Sequence, residues 1–366
     1  MKKILIGFII DGKGGGVDQY LLNFFHMVNS DTVQFDFLTN RITEPLRQEL
    51  EQGHASLYEM PSLMHPVQQY RRIRALTRKN AYDIAYFNVS TAVTYPAVKA
   101  AHDGGVPKVY VHSHSAGFDC LNPIKRLGMT ALHCLLKGPL CRSANGYYTC
   151  SDKAAEWMFT EQVCRSGKVR YIQNAIDTSR FAFSPEKRQA LREKYGLADK
   201  FVIGNVGNML YVKNQLFLID VFQQLIRSEP NAALFIAGDG PLRPALEDKV
   251  HEYHLEGKVL MPGRVDTADG YMSAFDVFAL PSHFEGMPIV SVEAQCSKLP
   301  CVLSDTITRE AGISNRCSFV PLNDTGAWVH ALLSNRGVDR NQMEITRDLS
   351  SFDLEKQKET LQTILQ

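Results

Sequence analysis

Short runs of β-branched and aromatic residues alternate along this chain with longer segments of helical periodicity. The chain opens with an apolar strand at 3–10 and an amphipathic helix at 17–28, and the same pattern restarts at residue 201. Such alternation is typical of parallel sheets covered by helices. It predicts an α/β fold of two Rossmann-like, doubly wound domains that face each other across a cleft. Further strands are predicted at 33–38, 55–58, 83–88, 109–113, 146–151, 168–172, 201–206, 233–237, 258–261, 276–280, 301–303 and 318–320, and further helices at 214–228, 241–254, 288–298 and 325–334.

The boundary between the two predicted domains falls in a polar stretch, 173–200, which we interpret as a linker region. The N-terminal domain then covers 1–172, and the C-terminal domain covers 173–351. The final segment, 352–366, has helical periodicity and is predicted to pack back on the first domain. With 366 residues, two domains of this size would each bury a core. Doubly wound sheets bind ligands outside the carboxyl ends of their strands, so the site is expected in the cleft.

Composition excludes several classes of protein. Hydrophobic residues make up 45% and charged residues 22%, which is near the average for globular proteins. No run of about 18 uncharged apolar residues predicts a membrane-spanning helix. The apolar N-terminus runs into Asp11 and a glycine cluster without a small-residue cleavage site, so it is interpreted as a buried strand. The eight cysteines form no Cys-x-x-Cys pair, which favours reduced thiols in a cytoplasmic protein.

The net charge of +1 conceals an excess of positive charge in the first half of the chain. Residues 60–145 contain 11 Lys/Arg and 3 Asp/Glu, a net charge of 11 − 3 = +8. Within them, a predicted helix from Asn122 to Leu140 mixes apolar with basic side chains. Such a helix is suited to an anionic membrane surface, or else it packs on the core with a solvated face. We predict a protein peripheral to the inner face of the plasma membrane. No nucleic-acid-binding module accompanies the basic region, so no nucleic acid is expected.

A glycine-rich turn, with Gly12, Gly14, Gly15 and Gly16, joins the first predicted strand to the first helix. Free amides at a helix N-terminus, without side-chain bulk in front of them, suit a phosphate or a sugar hydroxyl. The spacing matches neither a dinucleotide fingerprint nor a P-loop. The alternative is a tight strand-to-helix turn with no ligand.

Two carboxylates eight positions apart, Glu285 and Glu293, flank a second turn and the helix after it. Between them, Gly286, Met287 and Pro288 would present backbone amides at a helix N-terminus. Such amides suit a diphosphate, and each carboxylate can accept two hydroxyl hydrogen bonds from a sugar or a ribose. The alternative is a loop acid and a helix acid that are merely solvated.

At these positions the sequence resembles the retaining glycosyltransferases of family 4, which have two Rossmann-like domains (the type B fold), and within them the enzymes that build bacterial capsular and exopolysaccharides. The resemblance covers nearly the whole chain. The segments that carry it are Gly15-Gly16-Val17, His112-Ser113-His114, Asn174-Ala175-Ile176-Asp177, Val206-Gly207 with Lys213-Asn214, Gly238-Asp239-Gly240-Pro241, Pro281-Ser282 with Glu285-Gly286 and Pro288, and Pro300 to Asp305.

The resemblance implies roles for the two glutamates and their loop. Glu285 would contact hydroxyls of the donor sugar, and Glu293 would contact the ribose. The amides of Gly286 and Met287 would hold the diphosphate. Lys213 would neutralise the diphosphate and so stabilise the leaving group.

Two further positions of the family pattern bear on the donor. The family usually has an arginine directly after the glycine at 207, whereas this chain has Asn208, so one expected cation is missing. Arg264 could compensate for it. In relatives, the backbone at Arg264 and Val265 lies beside the nucleobase.

His112 and His114 end the fifth predicted strand. Treating them as neighbours on opposite faces of the strand, we expect only one of them to face the donor. By resemblance that residue is His114, which would donate a hydrogen bond to the sugar or the phosphate. The alternative for both histidines is packing in the core.

Together these features predict a hexosyl or N-acetylhexosaminyl transferase. The enzyme would move a sugar, with retention of configuration, from a UDP-sugar to a lipid-linked saccharide in capsular or exopolysaccharide synthesis. The N-terminal domain, 1–172, would bind the acceptor, and the C-terminal domain, 173–351, would bind the nucleotide sugar. No cofactor and no metal are expected, because the chain has no Asp-x-Asp sequence and no ligand cluster of suitable spacing. A nucleotide-sugar epimerase of the same architecture and a catalytically silent nucleotide-sugar-binding protein are the alternatives.

Overall fold

The computed structural model describes residues 1–10, 15–265 and 267–365. The chain forms two compact units, one made of Met1–Ala175 with Leu354–Gln366 and the other of Ile176–Asp353. Each unit is a parallel sheet with helices on both faces. This confirms the predicted α/β class and the two Rossmann-like units.

The first unit begins with seven parallel strands and the helices that connect them. The strands are β1 (Lys2–Gly7), β2 (Val33–Thr39), β3 (Ser56–Glu59), β4 (Ile84–Val89), β5 (Lys108–Ser113), β6 (Gly146–Thr149) and β7 (Val169–Tyr171). The helices are α1 (Gly16–Val28), α2 (Glu44–Gln52), α3 (Pro66–Asn80), α4 (Tyr95–Asp103), α5 (Pro123–Ser143), α6 (Asp152–Met158) and α7 (Glu161–Arg165). The strand order is β3-β2-β1-β4-β5-β6-β7.

The second unit repeats the plan with six parallel strands. Its helices are α8 (Pro185–Lys194), α9 (Gln215–Leu225), α10 (Arg243–Glu252), α11 (Asp269–Ala274), α12 (Ile289–Cys296) and α13 (Thr325–Leu333). Its strands are β8 (Phe201–Val206), β9 (Ala232–Ala237), β10 (Val259–Gly263), β11 (Val277–Leu280), β12 (Cys301–Ser304) and β13 (Cys317–Val320), in the order β10-β9-β8-β11-β12-β13. The chain then returns to the first unit as α14 (Leu354–Thr363).

Helices cover both faces of each sheet, so both faces are buried. Because successive side chains of a strand point to opposite faces, each strand contributes residues to both. In β1, Ile4 and Ile6 pack on the face covered by α1, whereas Leu5 packs on the face that contains Phe87. Leu361 of α14 joins the cluster around Ile4. Burying one such side chain stabilises the fold by about 1.5–3 kcal/mol.

Among the differences from the sequence prediction, two concern β1 and the linker region. β1 ends at Gly7, earlier than predicted, and the backbone N–H of Ile10 donates to the carboxylate of Asp18 at 3.0 Å instead of to a neighbouring strand. The predicted linker contains the helix α8, which Ser184 caps by accepting from the backbone N–H of Lys187. This helix packs on the unit through arginine side chains, and Arg188 donates to Asp276 at 2.6 Å. Because its contacts are polar, the periodicity of apolar residues could not reveal it.

No helix in the described part of the chain is long and apolar enough to cross a membrane.

Candidate functional site

In the second unit, β8 and β11 lie side by side in the sheet, although two strands, β9 and β10, lie between them in the sequence. The connections after these two strands therefore leave the sheet in opposite directions, and such a switch point is where doubly wound sheets bind ligands. The loop after β8 leads to Lys213, and the loop after β11 contains Glu285. The two loops are joined by a hydrogen bond from the backbone N–H of His283 to the carbonyl of Val212, at 2.8 Å.

Lys213 and Glu285 meet at this edge of the sheet. Lys213 Nζ lies 2.7 Å from Glu285 Oε1, and the hydroxyl of Ser282 donates to the same oxygen at 2.8 Å. Both charged side chains are largely shielded from water, with 17% and 13% of their surfaces exposed. Because an ammonium group has three donors, Lys213 can hold Glu285 and still donate to an oxyanion.

The glycines of the neighbouring loops allow close approach of the backbones. Gly238 follows β9 with φ +145, and a Cβ there would lie 2.0 Å from the carbonyl oxygen of Gly207. Gly207 in turn lies beside the stem of Lys213, since a Cβ built on it would be 3.3 Å from Lys213 Cε. Any larger side chain at Gly238 would therefore push apart the loops that surround the lysine.

The three residues between Glu285 and α12 are all buried: Gly286, Met287 and Pro288. Pro288 takes the N-cap position of α12 and does not bond to the helix amides through its side chain. The first amides of α12 thus start directly behind the loop that carries Glu285. A helix start of this kind favours an anionic group.

Glu293 lies in the second turn of α12 and is partly buried. Burial raises its pKa to about 7, against the opposing influence of the nearby cations Arg180 and Lys213, while Asp269 raises it further. Asp269 itself pairs with Lys187 at 2.6 Å. Glu293 therefore changes charge near neutral pH, which is unusual for a carboxyl group and is common at functional sites.

The remaining predicted residues of this unit lie on the same edge of the sheet. Asn208 follows Gly207, and its carbonyl oxygen accepts from the side chain of Gln215 at 3.2 Å. Arg264 is exposed and Val265 partly buried, directly after β10. The carbonyl of Gly263, at the end of β10, accepts from the backbone N–H of Gly238 at 2.9 Å.

In the first unit, the corresponding switch point lies between β1 and β4. Gly15 is the N-cap of α1 and Gly16 its first residue. Gly12 and Gly14 lie outside the described residues. Asp18 lies in the first turn of α1, and its carboxylate accepts from the backbone N–H of Ile10.

His112 and His114 lie at the end of β5, and their imidazole rings are 4.0 Å apart. The expectation that the two side chains point to opposite faces of the strand was therefore wrong. Residues two apart on a strand share a face, and it is immediate neighbours that point to opposite faces. His112 Nδ1 lies 2.5 Å from the hydroxyl of Tyr86, which lies 2.8 Å from the hydroxyl of Tyr20. His112 is thus tied to α1 and β4.

His114 has a different set of neighbours. Its Nε2 lies 2.8 Å from Oδ1 of Asn88, at the end of β4. Burial lowers the pKa of His114 to about 3, and the side chain of Asn174 acts in the opposite direction. The imidazole is consequently neutral at pH 7, with one N–H donor and one lone pair.

Several residues of these clusters had no signal in the sequence pattern. Arg180 and Asp269 approach Glu293 from outside the motif, and Asn88 approaches His114 from a neighbouring strand. Only the strand register brings the last pair together, because Asn88 pairs with His112 in the parallel ladder. The one signal in the sequence was a polar residue, Asn88, near the end of the strand that precedes the strand of His112.

Comparison with known proteins identifies both units. Residues 14–180 match the model of Glycosyltransferase Family 4, and residues 200–334 match the model of Glycosyl transferases group 1. The putative glycosyltransferase EpsF of Bacillus subtilis is 28% identical over 345 residues, which cover 91% of this chain and 88% of that protein. The UDP-Gal:alpha-D-GlcNAc-diphosphoundecaprenol alpha-1,3-galactosyltransferase of Escherichia coli is 25% identical over 331 residues, 87% of this chain and 84% of that protein.

Among solved structures, Alr3699/HepE of Anabaena in complex with UDP and glucose superposes with a TM-score of 0.77 at 18% identity, covering 100% of this chain and 99% of the other. This likeness concerns the fold. The fold and the matched domains define a glycosyltransferase. The chain belongs to the glycosyltransferases built from a Family 4 domain followed by a group 1 domain, as the sequence resemblance predicted.

Proposed function

We propose that this enzyme transfers a sugar, with retention of configuration, from a UDP-sugar to a lipid-linked saccharide in the synthesis of a capsular or exopolysaccharide. The transferred group would be a hexosyl or N-acetylhexosaminyl residue. The observation that carries the proposal is the shielded pair of Lys213 and Glu285 at the switch point of the second unit, 2.7 Å apart.

The second unit supports binding of the nucleotide sugar. In our proposal, Glu285 accepts hydrogen bonds from hydroxyls of the donor sugar, and Glu293 accepts them from the ribose. The amides of Gly286 and Met287, at the start of α12, hold the diphosphate. The exposed backbone at Arg264 and Val265 would lie beside the base.

Lys213 supplies the positive charge that the chemistry requires. When the glycosidic bond to the diphosphate breaks, negative charge grows on the leaving group, and a cation already in place stabilises that charge without reorganisation. The departing phosphate then accepts the proton of the attacking acceptor hydroxyl. We propose that this step needs no metal ion, since Lys213 and the helix amides provide the positive potential. In the first unit, we assign the polar cluster around His114 and the turn at Gly15 and Gly16 to substrate binding.

The choice of nucleotide and acceptor draws on the names of related proteins. The Escherichia coli relative is named for UDP-Gal and for a diphosphoundecaprenol acceptor, and the Anabaena structure contains UDP and glucose. A lipid-linked acceptor also fits the surface of the first unit. On α5, the apolar side chains of Ile124, Leu127 and Leu135 are exposed beside Lys125. We propose that this face binds the anionic inner surface of the plasma membrane.

The test is a transfer assay with purified protein, UDP-sugars, and a diphosphoundecaprenol-linked saccharide. We expect a new glycosidic bond with the anomeric configuration of the donor, and loss of the reaction in Glu285→Gln with the fold intact by circular dichroism. As a matched control, Glu247→Gln changes an exposed carboxylate of the same unit and should retain activity. Binding of UDP-sugars without transfer to any acceptor would instead identify a silent binding protein.

A further inference from the structure

The loop after β12 contacts the loop that carries Glu285 through the side chain of Thr306. The hydroxyl of Thr306 donates to the backbone carbonyl of Ser282 at 2.9 Å, although 24 positions separate the two residues in the chain. Ser282 is completely buried, and its own hydroxyl donates to Glu285 Oε1 at 2.8 Å. The residue that orients Glu285 is therefore itself held from the loop of the neighbouring strand.

The direction of each hydrogen bond in this chain of contacts is fixed by chemistry. A carbonyl or a carboxylate can only accept, whereas a hydroxyl has a single proton to donate. Thr306 donates its proton to Ser282, so the hydroxyl of Ser304, which contacts that of Thr306, donates to it. Ser304 is completely buried and accepts from the backbone N–H of Thr306 at 3.1 Å. Removing the Thr306 hydroxyl would therefore take a donor from Ser282 and an acceptor from Ser304, and lost partners of buried polar groups are costly.

The carboxylate of Glu285 is held by one of its two oxygens. Lys213 Nζ, at 2.7 Å, and the hydroxyl of Ser282, at 2.8 Å, both contact Oε1. Because both bonds end on Oε1, the other oxygen, Oε2, remains to accept a hydroxyl of the donor sugar. Two fixed donors on Oε1 restrict the rotation of the carboxylate, so they also determine where Oε2 lies.

We infer that Thr306 is a positioning residue of the transfer reaction. It acts through the backbone of Ser282, and so it fixes the direction in which Glu285 presents Oε2 to the donor sugar. This inference rests on the proposed function, in which Glu285 contacts the sugar while other groups bind the nucleotide. Thr306 should therefore affect the handling of the sugar much more than the binding of UDP.

Thr306→Val removes the hydroxyl and keeps the shape of the side chain. Misplacing a substrate contact by about 1 Å costs roughly 100-fold in rate, so we expect kcat with saturating UDP-sugar to fall about 10- to 100-fold. UDP has no sugar for Glu285 to contact, so its affinity should stay within about threefold of wild type. Thr306→Ser keeps the donor and should restore kcat to within about threefold of wild type.

Thr346→Val is the matched control for this substitution. The hydroxyl of Thr346 also donates to a backbone carbonyl of the second unit, that of Ile313 at 3.3 Å. Its loss should leave kcat and the affinity for UDP within about twofold of wild type. Wild-type kcat in Thr306→Val would contradict the inference. Equal losses of kcat and UDP affinity in Thr306→Val, with no recovery in Thr306→Ser, would also contradict it, because they would indicate a purely structural role.

Urea unfolding tests the link between Thr306 and Glu285 without any activity. The effects of Thr306→Val and Glu285→Gln on the free energy of unfolding should not add in the double variant, because residues of one hydrogen-bond network are coupled. The effects of Thr346→Val and Glu285→Gln should add. Additive effects for Thr306→Val with Glu285→Gln would overturn the inference. If the wild-type protein transfers no sugar, the proposed function fails, while the unfolding experiment still decides whether Thr306 holds Glu285.

Discussion

Lys213 Nζ and Glu285 Oε1 lie 2.7 Å apart although 72 residues separate them in the chain. The parallel pairing of β8 with β11 brings them together, because it places the loops after both strands at one edge of the sheet. The cation that is proposed to hold the diphosphate is thus oriented by the carboxylate that is proposed to hold the sugar. Changing either residue should affect the other's role.

Replacing Lys213 tests this coupling. Lys213→Ala removes the cation that would stabilise the leaving diphosphate, and loss of one such donor typically costs about 100- to 1,000-fold in kcat. Lys213→Arg keeps the charge and should recover part of this loss. Initial rates with saturating donor measure kcat, and titration with UDP measures binding. Lys213→Ala with wild-type kcat would remove the lysine from the mechanism; Lys249→Ala, a lysine of the same unit paired with Asp220, is the control.

Glu293 should give the protein a characteristic dependence of stability on pH. Its pKa is raised to about 7 in the folded state, so the folded protein binds this proton more tightly than the unfolded chain does. This contribution to stability is therefore full below the unfolded pKa, near 4.5, and is lost as pH rises through 7. Arg180 and Lys213 limit the loss, and Asp269 increases it.

The variant Glu293→Gln has no carboxyl group to ionise at this position. At pH 8 its free energy of unfolding should therefore exceed that of the wild type by about 1–3 kcal/mol. The difference should vanish near pH 4.5. The same variant should bind UDP more weakly, because an amide presents one acceptor oxygen to the ribose where a carboxylate presents two. Urea unfolding at pH 8 and at pH 4.5 measures the first effect. The same difference in free energy of unfolding between variant and wild type at both pH values would contradict the raised pKa.

The order of elements could be predicted from the sequence because both sheets are buried and their strands are nearly continuous apolar runs. The segment at 201–206 coincides with β8, and 301–303 lies within β12. Helix α8 was not predicted because its contacts are polar. Arg192 is buried, yet it packs by donating to the carbonyl of Ala274, at the end of α11, and to Asp276, and such contacts leave no apolar periodicity.

The candidate site was predictable only where it is continuous in sequence. Glu285 and Glu293 fall within one loop and one helix, so their spacing alone indicated a shared role. The contact of Ser282 with Glu285 lies in the same segment. By contrast, the neighbours of His114 come from β4 and from the stretch after β7, and no spacing rule links positions 88, 114 and 174. The assignment of function to those residues stays a prediction until variants are measured.

Removal of divalent ions should leave transfer intact. Within the described residues, no group of three or more His, Cys, Asp or Glu side chains is arranged to hold a metal ion. We propose that Lys213 and the amides of α12 supply the positive potential instead. Initial rates after dialysis against EDTA, compared with rates in added Mg²⁺ and Mn²⁺, should agree within about twofold. Strict dependence on a divalent ion would contradict this mechanism.

The membrane surface proposed for the first unit should depend on both apolar and basic side chains. Ile124 and Leu127 are 82% and 72% exposed on α5, and Arg71 is exposed on α3. Both helices pack against α4, so they belong to one side of the unit. Inserted apolar side chains contribute about 25 cal/mol per Å² buried, and each basic residue near anionic lipid contributes about 1 kcal/mol.

Sedimentation with vesicles can separate the two contributions. We expect the wild-type protein to bind anionic phosphatidylglycerol vesicles and not to bind phosphatidylcholine vesicles, which have no net charge. The double variant Ile124→Ser with Leu127→Ser should lose binding at all salt concentrations. Arg71→Glu should lose it mainly at low salt, where exposed charges are least screened. Lys358→Glu on α14 makes the same charge change at another exposed position of this unit and should bind as wild type does. If Lys358→Glu weakened binding as much as Arg71→Glu, net charge and not this face would account for the attraction.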